Sequence, residues 1–233
     1  MTIQPIIIQN NVTVTYLQRR DFERAIASSA LALRYHADFQ TVQHGLFLSA
    51  SSSSGSSCAP DCLDQSMLLS KQYGNSVNDS SSTCTTPPLF VYSHGIILPP
   101  NTLATDNNSM TMVSAILTFN SALAYQLYAL QHCKCKSSHT FLLLQSKRLY
   151  ELAFGVHSGA HHNLLFEFAV VNNIAVIDRC IGNEAMSTQT FENLMSVLML
   201  MVDQGCDSRL RQLQGFLRNV VPPYNLMKIA AAA

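Results

Sequence analysis

Three stretches of this chain repeat one pattern, two amphipathic helices joined by a short connection. They are NNVTVTYLQRRDFERAIASSALALRYH, FNSALAYQLYAL followed by SKRLYELAFGVH, and VVNNIAVIDRCIGNEAMSTQTFENLMSVL. Small residues stand where the paired helices must approach closely. A hairpin of this kind cannot cover its own apolar face, so successive hairpins stack into a solenoid. The pattern predicts a mainly α fold: one helical domain over residues 1–233, an α-solenoid of antiparallel helical hairpins. Solenoids present extended binding surfaces, so the pattern favours binding over catalysis.

The bulk composition narrows the partners. Hydrophobic residues make up 48% of the 233, enough for a substantial core. Charged residues make up 12%, about half the usual share, and the formal net charge is zero. That balance argues against nucleic acid or an anionic membrane as partner. No uninterrupted apolar run reaches the ~18 residues of a membrane span, and MTIQPIII lacks the basic start of a secretory signal. The expectation is an intracellular, cytoplasmic protein. The seven cysteines, Cys58, Cys62, Cys84, Cys133, Cys135, Cys180 and Cys206, then read as thiols rather than a disulfide framework.

Along the chain, helices are expected at 6–19 and 21–36, with Asp21 capping the second. Residues 49–88 are rich in Ser, Thr and Asn and read as a disordered insertion. Residues 89–100, LFVYSHGIILPP, carry two β-prone runs around His94-Gly95 and end in prolines. A short β segment, strand or hairpin, lying on the helices is expected there. Helices resume at 109–132, 139–156, 160–181, 187–204 and about 208–220, before a frayed tail at 221–233. Ser137 or Ser138 and Ser187 are the expected caps, and Gly182 the expected left-handed helix end.

The hairpins resemble the tetratricopeptide repeat (TPR), whose unit runs W-x2-L-G-x2-Y…A-x3-F…P. In the first, Tyr16, Ala25 and Ala32 fall at pattern positions, with Gln9, Thr13 and Ser29 in place of tryptophan, glycine and phenylalanine. In the second, Ala122, Tyr125, Tyr150 and Ala153 match around an insertion containing HCKCKSSH. In the third, Ala175, Gly182-Asn183, Ser187 and Phe191 match, with Asp178 and Leu194 departing. About 110 of the 233 residues are covered. The chain is also similar to functionally unassigned TPR-like proteins abundant in diatoms. In those, runs like FNSALAY, RLYELAF, VVNNIAV and VLMLMVD follow one another around an extended segment ending in prolines. The TPR resemblance implies that first helices line a groove. It places Asn10, Val14, Gln18, Phe119, Leu123, Gln126, Asn172, Val176 and Arg179 there as a partner-binding surface. The family's carboxylate clamp is missing, because Val14, Leu123 and Val176 occupy its asparagine positions. The groove is then apolar, suited to a helix or extended peptide.

Few residues suggest chemistry. His132, Cys133 and Cys135 offer soft ligands for zinc, which needs four, and His157, His161 and His162 cluster nearby in sequence. There is no HExxH, no G-x-S-x-G and no phosphate loop. Asp178, followed by Arg179, suggests an ion pair or an exposed carboxylate. The expectation is a noncatalytic interaction scaffold or adapter without cofactor, taking a protein or peptide partner. The alternatives are a zinc protein or enzyme using the His132/Cys133/Cys135 loop, and a self-associating structural protein forming a homo-oligomer.

Overall fold

A computed structural model describes residues 2–47, 89–100, 102, 107–132, 135–157, 164–203, 215–217 and 219. Among them the chain is mainly helical: α1 (Gln4–Gln18), α2 (Phe22–Phe47), α3 (Asn107–His132), α4 (Lys136–His157), α5 (Leu164–Cys180) and α6 (Glu184–Asp203). Residues 215–217 and 219 are helical as well. The insertion 49–88 and the tail 221–233 lie outside the described residues.

The helix ends follow from local chemistry. Pro5 opens α1, where a missing N–H costs nothing. The Asp21 side chain accepts from the Arg24 N–H at 3.4 Å and caps α2, as expected. α2 runs well past residue 36, since ADFQTVQHGLF contains no proline to stop it. α4 and α6 start three residues before their expected starts at 139 and 187. Ser137, Ser138 and Ser187 therefore lie inside first turns, and Ser187 is fully buried.

The helices pack in two compact units. The first holds α1 to α4 and the extended residues from His94 onward. Each helix there packs on the next in sequence, and α1 also touches α3. Ala25, Ala122 and Ala153 are fully buried at these contacts, which lets axes close to about 8–10 Å. Phe119 and Tyr150 fill the space between α3 and α4, ring centroids 5.5 Å apart. Burying side chains of this size contributes about 1.5–3 kcal/mol each. Two buried polar contacts tie α3 to α4: Ser146 donates to the Ala122 carbonyl at 2.7 Å, and Tyr150 to Gln126 Oε1 at 2.9 Å, while Gln126 Nε2 is buried with no hydrogen-bond partner among the described residues.

α3 qualifies the expectation about membrane spans. Ser109–His132 is the one helix among the described residues long and apolar enough to cross a membrane, with mean hydropathy 1.2. Its qualifying window is 78% buried inside the protein, because α2 and α4 both pack on it. A central core helix needs that composition.

The second unit holds Leu89–Ser93, α5, α6 and residues 215–219. α5 is buried nearly all round, through Phe166, Phe168, Ala169, Val170, Ala175, Val176 and Ile177. Phe191, Leu194 and Leu198 of α6 are buried too. α5 ends with Asn183 N–H on the Asp178 carbonyl at 2.8 Å, Gly182 N–H on Arg179 at 3.2 Å and Gly182 at φ +91°. This is the double bond pair of a glycine-terminated helix. α1 ends the same way, with Asp21 N–H on Tyr16 and Arg20 N–H on Leu17, but the left-handed residue is Arg20 at φ 59°.

Candidate functional site

Residues 89–99 form no helix and no strand pairing among the described residues, and their backbone bonds to asparagine side chains fall on alternate residues, as along an extended chain. The expected β segment is absent because asparagine side chains satisfy the backbone groups that a neighbouring strand would take. A primary amide carries one acceptor and a donor side by side. It can therefore exchange two hydrogen bonds with one extended residue, as a ladder neighbour does.

In the first unit, Asn120 of α3 accepts from Ile96 N–H and donates to Ile96 C=O, both at 2.8 Å. Asn11 of α1 does the same to Leu98, accepting at 3.0 Å and donating at 2.9 Å. Asn10 ties the two together. Its Nδ2 donates to Ile96 C=O at 3.0 Å and to Asn11 Oδ1 at 3.2 Å, while its Oδ1 accepts from Asn120 at 2.8 Å.

The second unit repeats this circuit bond for bond. Asn219 accepts from Phe90 N–H and donates to Phe90 C=O, both at 2.6 Å. Asn173 of α5 accepts from Tyr92 N–H at 2.9 Å and donates to Tyr92 C=O at 3.0 Å. Asn172 donates to Phe90 C=O and to Asn173 Oδ1, each at 3.2 Å, and accepts from Asn219 at 2.7 Å. Asn172 thus has the role of Asn10, Asn173 that of Asn11, and Asn219 that of Asn120.

Of the gripped residues, Tyr92, Ile96 and Leu98 are buried and Phe90 is half-buried. Ile96 and Leu98 are 1% and 2% exposed. Gly95 lies so close to α1 that an added Cβ would stand 3.0 Å from both Val14 Cγ2 and Leu17 Cδ1. In the second unit Tyr92 stacks on Phe216 at 5.8 Å and Phe90 meets it edge-on at 5.5 Å. A Cβ on Gly215 would overlap the Phe90 ring. Both sites are electrically neutral in their grip. Burial also lowers the pKa of His94, beside Gly95, which favours its neutral form.

The residues singled out from the sequence fall into three groups. Asn10 and Asn172 are in the two circuits, and Val14 touches Gly95. Phe119, Leu123, Gln126 and Val176 are buried in the helical packing. Gln18 and Arg179 are exposed. Sequence reasoning missed Asn11, Asn120, Asn173 and Asn219. The signal was present: Asn-Asn opens NNVTV at 10–14 and NNIAV at 172–176. Asparagine is a poor helix-interior residue, so two adjacent copies at matching places in two helices call for a side-chain role.

Among the described residues no three His, Cys, Asp or Glu side chains could hold an ion together. His132 stacks on Tyr128 at 5.2 Å and meets Phe22 edge-on at 5.7 Å. Cys135 is exposed, and its hydrogen bond with Ser137 helps hold its thiol pKa down to about 7. His157 is fully buried at the end of α4, not on a solvent-facing turn. Cys133, His161 and His162 lie outside the described residues. Asp178 is buried rather than exposed, and accepts from Asn183 Nδ2 at 3.3 Å.

Comparison of the chain with models of known protein families, with curated proteins and with solved structures finds no match.

Proposed function

We propose that the chain is a noncatalytic protein-interaction module, an intracellular adapter or scaffold built as a TPR-like α-solenoid. Its asparagines grip an extended polypeptide by the backbone, and Leu89–Pro99 is the resident occupant. One observation carries this reading: the same asparagine circuit occurs twice, each time on alternate residues of an extended segment. A fold that needed only to fill a groove would use apolar side chains. Paired amides on both N–H and C=O are what recognition of an extended chain requires. The sequential helix packing and the buried small residues Ala25, Ala122, Ala153, Ala175 and Ser187 support the solenoid part.

The test is a reversible lock. Cysteines at Gln4 and Pro100, where the Gln4 side chain meets the Pro100 carbonyl at 3.0 Å, would hold the segment against α1 when oxidised and release it when reduced. Partners captured from native cells by the reduced protein and lost from the oxidised one, with both folded, would support the reading. Equal capture by both forms would remove it. Leu123 and Val176 are unsuitable for such a test, since both lie in the core and a charge there would report on folding.

A further inference from the structure

We infer that the segment around Gly95 is a displaceable internal pseudoligand, and that its competitor is an uncharged extended peptide with a Gly-Φ-x-Φ core, Φ being a bulky aliphatic residue. This rests on the reading of the asparagine sites as peptide-gripping, and it adds the sequence class of the occupant.

The first unit defines that class position by position. Asn120 and Asn11 read only backbone, at Ile96 and Leu98, so they accept any extended chain in that register. Selectivity then comes from the side chains. At position 95 a Cβ would stand 3.0 Å from Val14 and Leu17, which would have to give by a few tenths of an ångström to admit it. Val14 is β-branched and stiff at χ1, and it is 1% exposed, so it has little freedom to move aside. Positions 96 and 98 are closed, apolar and almost fully buried, which excludes charged or polar residues. Position 97 is partly exposed and tolerant. The gripping groups are neutral amides, and a charged peptide would find no counter-charge in them.

The helices of this unit pack on one another directly. The backbone groups of Ile96 and Leu98 bond to asparagine side chains. A second peptide of the same pattern can supply each of those bonds. The resident has the advantage of belonging to the same chain, which makes its binding intramolecular. A free peptide therefore competes poorly with the wild-type chain and well with one whose own segment no longer fits.

That asymmetry is the experiment. The full chain carrying Gly95→Val would be titrated with fluorescein-labelled LFVYSHGIILPP, and anisotropy followed. The expected result is saturable binding to the variant and little to wild type. The same peptide with valine for its glycine should bind the variant about tenfold or more weakly, the scale of overpacking a tight contact. Equal binding of the glycine and valine peptides would overturn the Gly-Φ-x-Φ class while leaving backbone gripping intact. No binding to a folded variant would overturn displacement itself. Hydrogen exchange of the wild-type chain covers the case in which the variant does not fold. Ile96 and Leu98 amides should exchange at least about tenfold faster than the Leu123 amide, by local release of the segment. Exchange at the Leu123 rate would mean that the segment leaves only on global unfolding, and would also overturn the proposal.

Discussion

The hairpin α1–α2 and the hairpin α5–α6 share a plan and differ in how they fill it. Each carries adjacent asparagines in its first helix, Asn10-Asn11 and Asn172-Asn173, that enter the same circuit. Each first helix ends ten residues after the leading asparagine, at a left-handed residue: Arg20 in one and Gly182 in the other. Each second helix then follows a short polar residue, Asp21 or Asn183. Around this common frame the fillings diverge. The first unit clasps aliphatic Ile96 and Leu98, and its tight glycine, Gly95, is in the extended segment. The second clasps Phe90 and Tyr92 against Phe216, and its tight glycine, Gly215, is in the helical part. The hydrogen-bond frame is thus separable from the side chains that give each site its taste.

The largest expected effect tests the aromatic filling. Phe216 is fully buried against Phe90, Tyr92 and Phe168. Phe216→Ala should cost about 4 kcal/mol, seen in urea unfolding, and should speed amide exchange at Phe90 and Tyr92 before Ile96 and Leu98. Uniform speeding at all four would break the comparison, because the two fillings would then not be separate.

Next comes the frame itself. Asn120→Ala removes the acceptor of Ile96 N–H and the donor to Asn10 Oδ1. It should cost about 3 kcal/mol, the upper range for buried groups left unpaired. Asn173→Ala removes both bonds to Tyr92 and should cost a similar amount. A large difference between the two would mean that the circuits are alike in geometry but not in energy.

The helix ends give a signed pair. Arg20 holds a left-handed conformation that glycine adopts freely. Arg20→Gly should stabilise the chain by about 1 kcal/mol, and Gly182→Ala should destabilise it by about 1 kcal/mol. Thermal melts of the two variants should shift in opposite directions.

The smallest expected effect is confined to the first unit. Burial lowers the pKa of His36, whose Nε2 lies 3.0 Å from Ser114 Oγ. The unfolded chain takes up a proton near the ordinary histidine value of about 6.5, while the folded chain resists until lower pH. Below 6.5 the unfolded state binds more protons, so stability falls as pH falls toward the folded pKa and is unaffected well above 6.5. His36→Gln should flatten part of that slope, as measured by urea midpoints between about pH 7 and pH 5.

Much of this fold could be read from residue order. The 3.6-residue period located the helices, and Asp21 and Gly182 behave as their chemistry predicts. The β-prone run at 89–99 pairs with no strand among the described residues, and its partners are asparagine amides on helices. No local pattern says that a helix will serve as a strand's neighbour. α2 overran its expected end because periodicity weakens after His36 while nothing terminates the helix. The asparagine pairs were visible as a local conflict, polar and helix-averse residues inside apolar helical runs. Such conflicts concentrate at functional positions. Which backbone they grip depends on contacts between residues far apart in the chain, 10 with 96 and 172 with 90, and those pairings have no signature in sequence spacing.

The neutrality of the asparagine circuits has a consequence for how an occupant behaves in solution. Screening shrinks the reach of charge from about 10 Å at 0.1 M salt to about 3 Å at 1 M. Grips made only of amides and apolar contact lose nothing by it. A segment held by Asn10, Asn11 and Asn120, or by Asn172, Asn173 and Asn219, stays seated at ionic strengths that strip charge-driven associations from a surface. On the proposed reading of these sites, brine becomes a filter that separates a true occupant from the adventitious binders of any crude mixture.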